Sequence, residues 1–220
     1  HNSLVAKQWH NNRIFLAGDA AHMMPPSAGQ GLCSGVRDAV NLAWKLEAVI
    51  KKQFDASLLH TYEQERKPHL YKILHRTLFF GKTLQADTPF RRFLRNIQLR
   101  TIQSFSPLKN YLRIKYNTPP VFKEGFLSNT SVLARHHVPQ VKLAGSELSD
   151  AIIGYRFVCI GLPGSFTAAQ LHFLKERNIG LLHEQTDIMQ TSFPAWLAEH
   201  DIDFALIRPD KIIYAAGKMD

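Results

Sequence analysis

Cysteine is scarce in this chain, with two residues in 220, Cys33 and Cys159, far apart and in no CxxC pair. Neither a disulfide framework nor a cysteine-ligated zinc site can be built from them, and a reducing, cytoplasmic setting is the expectation. Long apolar runs are missing too. No stretch reaches the roughly 18 apolar residues that a membrane-crossing helix needs, and His1 to Asn12 has no charged region followed by an apolar core. The 11 histidines show no HxH or HExxH spacing, so no metal site is expected. What remains is an ordinary globular composition, 45% hydrophobic, 20% charged and 10% aromatic, enough for one large domain or two small ones.

Acidic charge is the other shortage. The formal net charge is +9, a value that first suggests a polyanionic partner. Its distribution narrows that reading. Residues 1–50 carry 4 Lys and Arg against 3 Asp and Glu, residues 51–116 carry 14 against 4, and residues 117–220 carry 9 against 11. The excess sits in one middle segment. There Arg91, Arg92, Arg95, Arg100, Lys109, Arg113 and Lys115 interleave with Phe90, Phe93, Leu94, Ile97 and Leu99. Such a stretch reads as a solvated helix face with its acidic counterpart elsewhere, as an amphipathic surface for anionic membrane, or as a nucleic-acid contact. The first of these is preferred, and no recognition motif accompanies the third.

Periodicity divides the chain. Arg13 to Ala17 is a short apolar run, the pattern of a buried strand, ending in Gly18-Asp19. A loop with Pro25, Pro26, Gly29 and Gly31 follows. Val36, Val40, Ala43, Trp44, Leu46 and Ile50 then recur at helical spacing, predicting a helix from near Gly31 to Lys51. Helices are expected through Asp55 to Gln103, broken near Gly81 and Thr88-Pro89, with another from Pro107 to Lys115. Thr118-Pro119-Pro120 to about Pro139 reads as a linker. Beyond it the pattern predicts strands at 157–162, 179–182, 204–207 and 211–216, and helices at 165–177 and 194–200, a small α/β sandwich.

The chemistry concentrates in the strand, loop and helix around Gly18-Asp19-Ala20-Ala21-His22. An acid at a strand end can accept hydrogen bonds from sugar or ribityl hydroxyls, and glycines allow close approach of backbone to ligand. A helix N-terminus presents unpaired N–H groups to an anion. The glycines alone are weak evidence, because Gly29-x-Gly31-x-x-Ser34-Gly35 misses the dinucleotide fingerprint by one place.

The longer pattern is more specific. GDAAH (18–22), PPxxGQG (25–31) and RDAxNLAWKL (37–46) together resemble the second FAD-binding motif of the class A flavoprotein aromatic hydroxylases, the phenol hydroxylase and 3-(3-hydroxyphenyl)propionate hydroxylase group. The resemblance implies FAD as cofactor, held through Gly18, Asp19, Pro26, Gly29, Gly31, Leu32 and Cys33. Asp19 would bind the ribityl chain, and the backbone N–H groups of Leu32 and Cys33 would face the N1/C2 edge of the flavin. Pro25 and Pro26 would border the substrate. It further implies NADH or NADPH as co-substrate, a small aromatic substrate, and oxygen transfer through a flavin C4a-hydroperoxide. No side chain is assigned as catalytic, and no metal is expected.

The end of the chain, with Arg208-Pro209-Asp210, resembles the thioredoxin-like domain of the same enzymes, where the lone Cys159 implies a structural role. The expected fold class is therefore α/β: the C-terminal part of a para-hydroxybenzoate hydroxylase-like FAD/NAD(P)-binding domain over 1–117, mostly helical here, a linker over 118–138, and a thioredoxin-like domain over 139–220. The family's GxGxxG segment is not found before GDAAH, so the expectation is a C-terminal portion that partners an N-terminal FAD-binding half and is inactive alone. A homodimer is compatible with the resemblance, while a membrane or nucleic-acid partner is not expected from it. The alternative is a non-catalytic interaction module acting through the basic helices. His22 is expected to be structural, and Arg37-Asp38 to form a helix-surface or interdomain ion pair.

Overall fold

In a computed structural model, residues 3–26, 29–117, 121–129, 131, 133–142, 148–162, 164–182 and 193–219 are described. Ser27-Ala28 of the glycine loop, and Thr118-Pro119-Pro120, Thr130 and Val132 of the expected linker, lie outside them. The chain forms two compact units, His1–Ala43 with Leu59–Phe122, and Trp44–Leu58 with Lys123–Asp220. Residues 44–58, read from the sequence with the first domain, thus group with the second unit.

The first unit begins with two small antiparallel ladders. Strand β1 (Leu4–Val5) pairs with β4 (His22–Met23), and β2 (His10–Asn11) pairs with β3 (Ile14–Phe15) through a tight turn in which Asn12 takes φ +52°. Asn tolerates that left-handed backbone better than most residues. The run 13–17, expected as a buried strand, contributes only β3, and Ile14 is exposed while Phe15 is half-buried. Helix α2 (Thr61–Leu84) anchors this region. Trp9, fully buried, donates its backbone N–H to Glu63 Oε2 at 2.9 Å, and the Tyr62 hydroxyl donates to the Leu16 carbonyl at 2.8 Å. The buried positions of α2, from Tyr62 through Glu65, Arg66, His69, Leu70, Ile73, Leu74 and Thr77, recur every three or four residues and form one face.

Helix α1 (Gln30–Ile50) matches its sequence expectation within a residue at each end. Its orientation does not follow the apolar stripe. Val36 is 54% and Ile50 76% exposed, whereas Ser34, Asp38, Asn41, Leu42, Lys45 and Ala48 are buried. The inward face of the first turns is polar because it meets the charged face of α2.

Two further helices, α3 (Pro89–Ser104) and α4 (Ser106–Asn117), complete this unit. The α3 start follows from Thr88, whose hydroxyl accepts the Arg91 N–H at 3.2 Å, with Pro89 at the first helical position.

The second unit is built on a four-stranded sheet. In it β5 (Val158–Gly161) lies parallel to β6 (Gly180–Leu182) and antiparallel to β7 (Phe204–Ile207), and β7 pairs with β8 (Ile213–Gly217), giving the order β6-β5-β7-β8. Helix α5 (Ser149–Ile153) precedes β5. The parallel crossover between β5 and β6 runs through α6 (Ala168–Glu176), which opens on a capping box of Thr167 and Gln170. Helix α7 (Phe193–Glu199) precedes β7. Ile153, Val158, Ile160, Phe193, Leu197, Ala205, Ile207 and Ile213 form a continuous hydrocarbon core. Within the stretch read as a linker, Ser128 and Arg135 donate backbone N–H bonds to Tyr214 and Ile213.

A second cluster gathers Trp44, Phe54, Phe126 and Phe157, with ring centroids 5.3–6.4 Å apart. Such edge-on and tilted pairs add to the burial energy of the rings. The turn Arg208-Pro209-Asp210 closes against it. Arg208, fully buried, makes a forked pair with Asp210 at 3.0 and 2.6 Å, donates to the Phe126 carbonyl at 2.8 Å, and lies 5.1 Å from the Trp44 ring centroid. Cys159 on β5 is buried and its thiol is pushed up to about 12 by that burial, so it is not poised as a nucleophile.

Candidate functional site

The site grows from one close approach. Gly18 takes φ +59°, a left-handed backbone that favours glycine. A Cβ built on Gly35 would stand 3.3 Å from the Gly18 Cα, so main chain meets main chain between the strand end and the second turn of α1. Neither neighbour is a flexible side chain that could yield. Gly35, the glycine that spoiled the dinucleotide fingerprint by coming one place late, therefore packs strand end against helix.

Asp38, one turn further along α1, fixes the same loop by hydrogen bonds. Its Oδ2 accepts from the Gly18 N–H at 3.2 Å and from His22 Nε2 at 2.6 Å, and its Oδ1 accepts from Arg66 Nε at 2.8 Å. Both side chains of the His22–Asp38 pair are fully buried. A carboxylate only accepts, so His22 carries its proton on Nε2. Arg66 continues the network to His69 Nδ1 at 2.9 Å and the Ser34 carbonyl at 3.4 Å, and Asn41 donates to Glu65 at 2.7 Å. A buried carboxylate is tolerable only when paired and fully hydrogen-bonded, which is the condition met here.

Asp38 is therefore not the surface member of an Arg37–Asp38 pair, as the sequence suggested, but the interior bracket of the Gly18–His22 loop. Its partner is Arg66 from α2, 28 positions away, a distance that local reading cannot bridge. His22, expected to be structural, is buried in this network. A signal for the bracket did exist: Ser34, Asp38, Asn41 and Lys45 recur at helical spacing as a polar stripe.

The expected ligand-facing residues are presented outward. Asp19 lies in a 3-10 turn, Gly18–Ala20, and is exposed. Gly29 takes φ +60°, with nothing within 4 Å of where a Cβ would stand, and its N–H closes a turn onto the Pro26 carbonyl at 3.0 Å. Pro25 is buried, Pro26 is exposed, and a Cβ built on Gly31 would stand 4.0 Å from the Met24 Cβ. Leu32 and Cys33, also exposed, lie in the first turn of α1, whose N–H groups have no intrahelical acceptor. Beside them Arg37 is half-buried. Burial, then the nearby Arg66, holds its guanidinium below the usual range, and its Nη1 is buried without a hydrogen-bond partner among the described residues.

The outward Asp19 carboxylate, the open Gly29 turn and the first turn of α1 thus follow one another on a loop bracketed by Asp38. Residues 1–77 match the family model described as FAD binding domain. The mixed α/β fold, about half helical, is that of the FAD-binding hydroxylases of the para-hydroxybenzoate hydroxylase type. The chain is 30% identical to a 3-(3-hydroxy-phenyl)propionate/3-hydroxycinnamic acid hydroxylase of Klebsiella pneumoniae (strain 342), with 98% of this chain and 44% of the relative covered. A hydroxylase of the same name from Shigella sonnei (strain Ss046) is also 30% identical, with 99% of this chain and 45% of that relative covered. The chain thus spans less than half the length of these relatives. Among solved structures, the OxyS anhydrotetracycline hydroxylase from Streptomyces rimosus superposes with TM-score 0.78 at 26% identity, covering 98% of this chain and 43% of that one. Substrate-free RebC, the rebeccamycin biosynthetic enzyme, superposes at 0.69 with 21% identity, covering 98% of this chain and 42% of that one, a likeness of fold.

Proposed function

We propose that this chain supplies the flavin-facing segment of an FAD-dependent monooxygenase that hydroxylates a small phenolic substrate with NADH or NADPH and molecular oxygen. The observation that carries the reading is the Gly18–His22 loop, bracketed to α1 by Asp38 while Asp19 stays outward. The residues fit FAD: the Gly29 turn is open where a Cβ would stand, and Arg37 Nη1 is a buried cationic donor lacking a partner next to that helix start. When bound, FAD supplies the electron transfer and oxygen activation that no side chain can provide.

The chain's own part is positioning and electrostatics. Asp19 accepts hydrogen bonds from the ribityl hydroxyls. The Leu32 and Cys33 N–H groups, aided by the α1 dipole, stabilise negative charge at the near edge of the ring system. The Pro25-Pro26 segment borders the reacting edge of the substrate and keeps water from it. The relatives' printed substrates, hydroxylated phenylpropionates and cinnamates, support a phenol carrying a short acidic side chain. The sheet order of the second unit, one parallel pair extended by two antiparallel strands, supports a thioredoxin-like domain with a structural role, since Cys159 is buried and alone. The protein works in the cytoplasm on this reading, together with an N-terminal half that supplies the remaining FAD contacts.

The test is cysteine footprinting with FAD titration of the chain joined to its N-terminal half. Cys33 is exposed in the first turn of α1, and Cys159 is buried. Excess FAD is expected to slow alkylation of Cys33 and to leave Cys159 unchanged, and Asp19→Ala is expected to weaken that protection about tenfold, the loss of one charge-assisted hydrogen-bonding group. Protection that is absent in the wild type, or equal in Asp19→Ala, overturns the reading.

A further inference from the structure

The guanidinium of Arg66 is a buried group to which the flavin reading gives no task. Its side chain is 1% exposed, and its three nitrogens hold three different residues. Nε donates to Asp38 Oδ1 at 2.8 Å, while the other oxygen of that carboxylate accepts from the Gly18 N–H at 3.2 Å and from His22 Nε2 at 2.6 Å. Nη2 donates to the Ser34 carbonyl at 3.4 Å, directly after Leu32 and Cys33 on α1. Nη1 donates to His69 Nδ1 at 2.9 Å, one turn along α2, and that bond fixes the plane of the fork.

The two segments that the flavin reading assigns to the cofactor, the Asp19 turn and the start of α1, are joined in sequence through the Pro25–Gly31 loop. A connecting loop by itself fixes no distance between its ends. Arg66 fixes it from a third element, because its bonds reach the Gly18–His22 loop through Asp38 and the early turns of α1 through Ser34. A guanidinium is planar with donors in set directions, so bonds from Nε and Nη2 define an angle as well as two distances. An ammonium on a flexible stem keeps the charge and loses that angle. The charge has its own effect. After burial, Arg66 is the next cause holding the Arg37 guanidinium below its ordinary range, and Asp38 opposes it, so one carboxylate faces two cations behind the start of α1. An anion at that helix start is favoured by the same arrangement.

We propose that Arg66 is a positioning residue for the flavin: through Asp38 and the Ser34 carbonyl it sets the spacing between Asp19 and the first-turn N–H groups of α1, and with it the affinity for FAD and the midpoint potential of the bound cofactor. The proposal rests on the flavin reading, which gives Asp19 the ribityl chain and the Leu32 and Cys33 N–H groups the edge where negative charge gathers. Donors aimed at developing charge act only at the right distance, so a displaced helix start loses more against the reduced, anionic cofactor than against the oxidised one. Arg66, Asp38, Ser34, His22 and His69 are all buried within the first unit, so these bonds are made by the chain itself.

FAD binding and redox titration of the chain joined to its N-terminal half test it, with Arg66→Lys, which retains the charge, and Arg66→Met, which removes it. Arg66→Lys is expected to weaken binding of oxidised FAD about tenfold, the loss of one charge-assisted hydrogen bond, and to move the midpoint potential to more negative values because the reduced cofactor loses more. Arg66→Met is expected to shift both further, and if it fails to fold, Arg66→Lys decides alone. In the cofactor-free protein, Arg66→Lys is expected to speed hydrogen exchange at the Gly18 N–H and to shift the His22 ring signal, with exchange in β5 and β7 unchanged. Wild-type affinity and potential in Arg66→Lys would overturn the proposal, as would unchanged Gly18 and His22 signals. So would a fall in affinity with no change of potential, which would assign Arg66 a structural role only. Absence of FAD uptake by the wild type is a separate result, seen without any substitution, and would overturn the flavin reading and this proposal with it.

Discussion

The two units bury opposite kinds of interior. In the second, the centre is hydrocarbon: Val158 and Ile160 of β5, Ala205 and Ile207 of β7, Phe193 and Leu197 of α7. Among the described residues, its buried charges are those of the Arg208–Asp210 turn and Lys45. In the first, the space between α1 and α2 is filled by His22, Ser34, Asp38, Asn41, Glu65, Arg66 and His69. Hydrocarbon packing is strong and indifferent to direction. A polar interior costs desolvation and returns it only through geometry, so it holds a loop in one conformation. The sheet unit is built for stability, and the loop unit for position.

Removing the carboxylate of Asp38 should do the most damage. Asp38→Ala strands Arg66 and His22 in the interior, and the expected loss is about 3–5 kcal/mol in urea denaturation. Hydrogen exchange should place that loss in the Gly18–His22 loop and α2, and an equal loss of protection in β5 and β7 would break the contrast between the units. The counterpart in the sheet unit is Ile160→Ala, which leaves a cavity and should cost about 2–4 kcal/mol. A cost below about 1 kcal/mol would mean that this core is looser than its burial suggests. Gly35→Ala probes the backbone contact with Gly18. With a Cβ 3.3 Å from that Cα, the expected loss is about 1–3 kcal/mol, accompanied by a shifted His22 resonance that a uniform loosening would not produce.

The smallest effect concerns pH. Glu63 is pushed up by burial but held below its ordinary value on balance by Lys67, the Trp9 N–H and His10. Its folded value lies below its unfolded one, so its contribution is present at neutral pH and is lost as pH falls below the ordinary glutamate range. Glu63→Gln should flatten the acid limb of the stability profile of the first unit, and an unchanged limb would assign that slope to other carboxylates.

Much of the architecture was legible locally. Alternation of apolar and turn residues locates β5, α6, β6, α7 and β7 to within a few residues, because their faces are set by neighbours close in sequence. The short helix α5 and the β1–β4 pair were not legible, since five and two residues carry too little periodicity to register. At the site, Asp19, Gly29, Leu32 and Cys33 are exposed, whereas the part played by Asp38 was misread. A carboxylate following an arginine on a helix looks like a surface pair, and only a guanidinium arriving from α2 makes an interior location affordable.

The amino-acid sequence alone determined the longer helices and the strands of the sheet unit, the segregation of charge into residues 51–116, and the resemblance of the 18–46 stretch to a flavin-binding motif, because each depends on spacing along one chain. Tertiary structure alone decided which face of α1 turns inward, and that Gly35 rather than a fingerprint glycine makes the close contact. It also decided that the phenylalanines of α3 stand in solvent. The physical reason is the same in each case. Burial and pairing are properties of what a residue meets, and for Asp38, Gly18 and Trp9 that meeting is with groups 17 to 54 positions away.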